Sequence, residues 1–167
     1  DFMDSMYMII VGIMMTLAIT GLVVGVANDA VNFLNSALGS KVAPRYVIMT
    51  VASVGIIVGA ITSSGMMEVA RSGVFHPEMF SFSEVMMLFL AIMFMNVILL
   101  DVFNTLGMPT STTVSLVFGL LGAAVSVSVY KITHSDLHTM ADLATYINTG
   151  KAMAIISGIL LSVAIAF

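Results

Sequence analysis

Met6-Tyr-Met-Ile-Ile-Val-Gly-Ile-Met-Met-Thr-Leu-Ala-Ile-Thr-Gly-Leu-Val-Val-Gly-Val-Ala27 contains no Lys, Arg, Asp or Glu. A helix of about 20 such residues crosses the roughly 30 Å hydrocarbon core of a bilayer. The run has acidic flanks, Asp1 and Asp4, and is too long for the core of a secretory signal, which would also need a basic start. It reads as a transmembrane helix. The rest of the chain agrees, with 60% hydrophobic and only 8% charged residues, against about 25% charged in soluble domains.

Working outward, further apolar runs lie at about 46–62, 85–106, 113–130 and 152–167. With the first they predict an all-α integral membrane protein of about five spanning or partly spanning helices, treated as a single unit over 1–167. The chain opens at Asp1 without an initiator Met and stops at Phe167 inside an apolar run, so a fragment of a longer protein is expected. Lys131 to Lys151 is polar but carries Leu137, Met140, Leu143 and Ile147 at helical spacing, which predicts an interfacial helix. Lys41 and Arg45 favour a cytoplasmic loop after the first helix, while Lys131 and Lys151 flank a loop on the opposite side.

Composition excludes several classes of function. There is no cysteine, hence neither disulfide nor thiolate chemistry. No basic cluster points to nucleic acid. His134 and His138 share a helical spacing but have no third ligand, so a solvated loop competes with a metal pair. The 16 Met residues read as adaptable apolar packing. No nucleophile–base–orienter set marks an enzyme. Gly21 and Gly25, and Gly55 and Gly59, are spaced for close helix packing, although glycine is common in membrane helices anyway.

Two polar constellations interrupt the apolar sequence. The first is Asn28-Asp29-Ala-Val-Asn32-Phe-Leu-Asn35-Ser36. A carboxylate at the centre of a membrane helix costs roughly 2.5–3.5 kcal/mol, so it needs a partner or a cavity. On a helix, Asn28, Asp29 and Asn32 share one oxygen-rich face suited to a small hard cation. The competing reading is a helix end capped by Asn and Asp. The second constellation is Gly107-Met-Pro109-Thr110-Ser111-Thr112-Thr113 between two apolar runs. Gly and Pro break the helix, and Ser or Thr caps the next one. The new helix amino terminus is a ready anion site, in the manner of the broken helices of transporters, unless it is merely a tight turn. Asp101 and Asn104 repeat the Asp-x-x-Asn spacing just before the break, as further cation ligands or as a helix-end pair. Asn96 is expected to hydrogen-bond between helices.

Together the two segments resemble the inorganic phosphate transporter (PiT) family of sodium- or proton-coupled symporters. Gly25-Val-Ala-Asn28-Asp29-Ala-Val-Asn32 is similar to that family's Gly-Ala-Asn-Asp-x-x-Asn signature with one Val inserted. Gly107-Met-Pro109-Thr110-Ser111-Thr112-Thr113-Val114 is similar to its Gly-x-Pro-Val-Ser-Thr-Thr-His element, with Thr110 for Val and Val114 for His. Losing that His removes any proton role it would carry. The resemblance implies one repeat of an inverted-repeat transporter, the first half, whose second repeat is a partner, with a homodimer as a further partner.

It also implies cation-coupled phosphate uptake by alternating access at the cell (inner) membrane, with no cofactor beyond the co-transported sodium or proton. Asn28, Thr110, Ser111, Thr112 and Thr113 would meet phosphate. Asp29, Asn32, Asp101 and Asn104 would face the cation, with sodium at Asp29 and Asn32. Neither motif holds Lys or Arg, so a bound cation must offset the phosphate charge. The rival readings are sulfate or another tetrahedral oxyanion, and a membrane scaffold whose polar motifs only join helices.

Overall fold

The computed structural model of the protein describes residues 2–63, 68, 73–134 and 140–166. Five helices are long and apolar enough to cross a membrane: α1 (Phe2–Ser40), α2 (Arg45–Thr62), α3 (Phe82–Thr105), α4 (Thr112–Thr133) and, after the single turn α5 (Leu143–Tyr146), α6 (Thr149–Ala166). The protein is therefore an all-α, multi-pass integral membrane protein.

One boundary departs from the sequence reading. α1 does not stop at Ala27 but stays wound through the polar patch to Ser40. The amides and Ser36 recur every three or four residues, and the apolar residues between them keep a helical repeat, so nothing in the patch breaks the backbone. At 39 residues, α1 is about 58 Å long.

α3 and α4 form an antiparallel hairpin, paired at Asn96 with Ser115 and at Glu84 with Lys131. α1 lies parallel to α3, from the Tyr7–Phe82 ring contact at 5.7 Å to the Asn28–Asn104 contact near the hairpin tip. Gly21 lies at this approach: a Cβ there would meet Val97 Cγ2 at 3.4 Å, so a larger side chain has no room without displacing α3. Gly55 and Gly59 on α2 face nothing within 4 Å, so of the two spaced pairs it is Gly21 and Gly25 that lie against other helices among the described residues. Gly21→Leu is expected to wedge α1 from α3 and destabilise the bundle by about 1–3 kcal/mol, the usual cost of overfilling. Thermal unfolding in detergent checks this, and an unchanged midpoint would refute the close-packing role.

The other end of the hairpin is closed by a polar and aromatic cluster. Ser81 caps α3 in a capping box with Glu84, so both orphan N–H groups are satisfied. Lys131 donates to Glu84 Oε2 at 3.1 Å and to the Met79 carbonyl at 2.9 Å, and lies over the rings of Phe80 and Tyr146. Phe75 and Ile147 pair through an isolated bridge, both buried. Of the expected interfacial helix, the described residues carry a 3-10 turn, Met140–Asp142, that runs into the single turn of α5, and Tyr146 and Ile147 are drawn into this protein core. His138 and Leu137 lie outside the described residues, and His134 is exposed, with its Nδ1 beside the Tyr130 carbonyl.

Candidate functional site at the hairpin tip

The tip that joins α3 to α4 is built from local signals. Gly107 adopts φ +68°, a left-handed conformation that glycine enters without strain. Its N–H donates to the Asn104 carbonyl at 3.1 Å, and Met108 N–H donates to the Phe103 carbonyl at 2.9 Å. This pair of bonds is a Schellman ending. Pro109 cannot extend the helix, and Ser111 caps α4 by accepting from Val114 N–H at 3.3 Å. The linker is short and internally fixed.

The linker rests against the middle of α1, not its end. Beyond Asn28, α1 continues for about 18 Å. Asn28 is buried at 1% exposure. Its Nδ2 donates to Asn104 Oδ1 at 2.8 Å, and its Oδ1 accepts from Thr110 N–H at 3.3 Å. Asn104 in turn donates to the Val24 carbonyl at 3.2 Å. One helical step further, the Asp29 carboxylate accepts from Thr112 Oγ1 at 3.3 and 3.5 Å. Asp29 and Thr112 are both half-buried. A cavity of about 80 Å³ lies beside the Asn28–Asn104 pair, lined by Asn28, Val31, Asn104, Gly107, Met108 and Pro109.

The two constellations, more than seventy residues apart in sequence, thus meet in space. Asn28 bonds to Asn104 and Thr110, and its neighbour Asp29 to Thr112. Asn32, Asp101 and Thr113 are exposed, and their side chains make no hydrogen bond among the described residues. Ser111 is exposed, with its hydroxyl engaged as the α4 cap. The N–H groups of Ser111, Thr112 and Thr113 have no acceptor among the described residues, as expected for the first turn of a helix. Neither α1 nor α4 carries Lys or Arg within reach: the nearest basic residue on α4 is Lys131, at the opposite end.

The chain matches the phosphate transporter family over residues 25–167, a stretch that begins at Gly25 of the Asn-Asp patch and takes in the whole hairpin. It belongs to the phosphate transporter family. No curated protein and no solved structure matches it. The match takes in both the Asn-Asp helix face and the Ser/Thr-capped helix start that converge at the hairpin tip.

Within this phosphate transporter chain, spacing alone could not show that Asn28 would pair with Asn104. Each belongs to its own Asp/Asn pair in sequence, and only the parallel packing of α1 on α3 aligns them. The Val24 carbonyl and the cavity beside Pro109 carry no sequence signal at all. The Asn96 expectation holds: Ser115 Oγ donates to Asn96 Oδ1 at 2.7 Å, linking α3 and α4.

Proposed function

We propose that this chain forms part of a cation-coupled inorganic phosphate symporter working by alternating access, with its site at the hairpin tip. The observation that carries the reading is the contact between Asp29 and Thr112 at the start of α4. The free N–H groups of Ser111, Thr112 and Thr113 and the positive end of the α4 dipole favour an oxyanion. Asp29 sits beside that same position and repels one. With no basic residue at the tip, phosphate binds only when a sodium ion or proton has neutralised Asp29. Coupling follows from this electrostatic conflict.

No three His, Asp or Glu residues converge on a metal-like site among the described residues, so a cation at Asp29 would draw on hydroxyl, amide and carbonyl oxygens. Asn32 and Asp101 are exposed near the tip, where a second, inverted copy of the fold would complete the shell. A homodimer of the complete transporter is compatible with the same arrangement.

Uptake of labelled phosphate by the full-length protein in proteoliposomes, with and without a sodium or proton gradient, tests the reading. Thr112→Val keeps shape but removes a hydroxyl that faces both ions. The loss of one hydrogen bond to a charged group, about 1.5–3 kcal/mol, corresponds to a roughly 10–100-fold rise in the phosphate KM. Competition by phosphate, arsenate and sulfate fixes the anion. Inhibition by sulfate as strong as by phosphate would replace phosphate as the substrate, and absence of any anion uptake would favour a scaffold.

A further inference from the structure

The amide chain at the tip has a direction set by chemistry. The Val24 carbonyl can only accept, so Asn104 turns its Nδ2 toward it and leaves its Oδ1 for Asn28. Asn28 then meets Asn104 with its Nδ2 and keeps its Oδ1 for Thr110 N–H. In both residues the amide oxygen and an amide hydrogen are committed within the protein. Asn28, at 1% exposure, is left with its second amide hydrogen and one lone pair, and its engaged groups serve the protein rather than a ligand.

The linker these bonds hold is stiff within itself. The Schellman ending at Gly107, Pro109 and the Ser111 cap fix its shape, so a few bonds are enough to fix its position. Apolar packing does less here, because the cavity of about 80 Å³ lies between the linker and α1. Placement of the tip therefore depends on hydrogen bonds. The residue at the centre of those bonds on the hairpin side is Asn104.

We propose that Asn104 is a positioning residue: through Asn28 it latches the α3–α4 linker onto α1 and so holds Thr112 opposite Asp29, touching neither phosphate nor cation. This rests on the tip being the phosphate site. It reassigns Asn28 and Asn104 from ligands to supports of the ligands. When the latch is lost, the linker keeps its shape but no longer holds a fixed place on α1. The anion-binding N–H groups and the Asp29 carboxylate then lose their mutual register.

Two variants of the full-length transporter test this. Asn104→Leu has nearly the same size but neither hydrogen bond, leaving Asn28 Nδ2 without its acceptor. Asn104→Gln keeps both groups, and the adjoining cavity accommodates its extra methylene. In proteoliposomes, Asn104→Leu is expected to raise the phosphate KM about tenfold, the equivalent of one lost net hydrogen bond, with Vmax held within about twofold. Asn104→Gln is expected to restore KM to within about threefold of the parent. Hydrogen exchange in the Leu variant should quicken at Thr110 and its linker neighbours while the bodies of α1, α3 and α4 stay protected.

An unchanged KM in the folded Leu variant would overturn the proposal, as would exchange that quickens throughout the bundle or a Gln variant no better than Leu. If the parent protein transports no phosphate, the substrate assignment fails on its own. The exchange pattern at Thr110 then decides the latch independently.

Discussion

Asp29→Asn is expected to abolish gradient-driven phosphate accumulation, reducing it at least about 100-fold while leaving the protein folded. The substitution is nearly isosteric and keeps an oxygen that can accept from Thr112 Oγ1. What it removes is the charge. A carboxylate about 5 Å from one negative charge repels it by about 3 kcal/mol at an effective dielectric of 20, or roughly 100-fold in affinity. Without that repulsion phosphate no longer needs a cation to enter, so binding becomes independent of sodium or pH and the gradient has nothing to act on. Uptake measured with an imposed gradient, together with phosphate binding in its absence, checks both halves. Full gradient-driven accumulation by the Asn variant would remove Asp29 from the coupling role.

The second large effect is expected at Gly107. Its φ of +68° excludes most side chains, and a β-branched residue there costs about 1–3 kcal/mol. Gly107→Val should undo the Schellman bonds from Gly107 and Met108, turn Pro109 away from α1 and displace the N–H groups that start α4. Transport is expected to fall below detection while the closed end around Lys131 and Tyr146, at the far end of the hairpin, stays intact. Gly107→Asn, which tolerates the left-handed region, should retain measurable uptake. A Val variant that transports like the parent would show that the geometry of the break is dispensable.

The sequence exposed the helices and the break, but not their arrangement. Gly107, Pro109 and Ser111 act on their own backbone neighbours, so the turn they make is local and legible. The apolar runs are long enough to define five helices without any tertiary information. Asn28 to Ser40 is harder, because polar residues next to a transmembrane run suggest an exit from the membrane. Only the spacing of Asn28, Asn32, Asn35 and Gly39 hints that the helix continues. The alignment of α1 with α3 brings Gly21 opposite Val97 and Asn28 onto Asn104, approaches between distant segments that no local pattern encodes. For the same reason Asn104 could be recognised as polar and well placed, but not as the partner of Asn28. Ile147 misled through its helical spacing: its actual neighbour is Phe75, across the closed end.

The unbroken winding of α1 bears on how an ion would be held. A helix that is intact at Asp29 directs its main-chain oxygens along its own axis, toward the N–H groups four residues on. They are not splayed toward a ligand as in an unwound segment. A hard cation takes six or more oxygens, and α1 can offer chiefly those of its side chains. A cation proposed at Asp29 would therefore complete its shell with the Thr112 hydroxyl, the linker and retained water. Such an ion enters partly hydrated, so less of its dehydration cost has to be recovered in the site. Discrimination among monovalent ions would then follow how many waters each keeps, more than the width of a rigid cage.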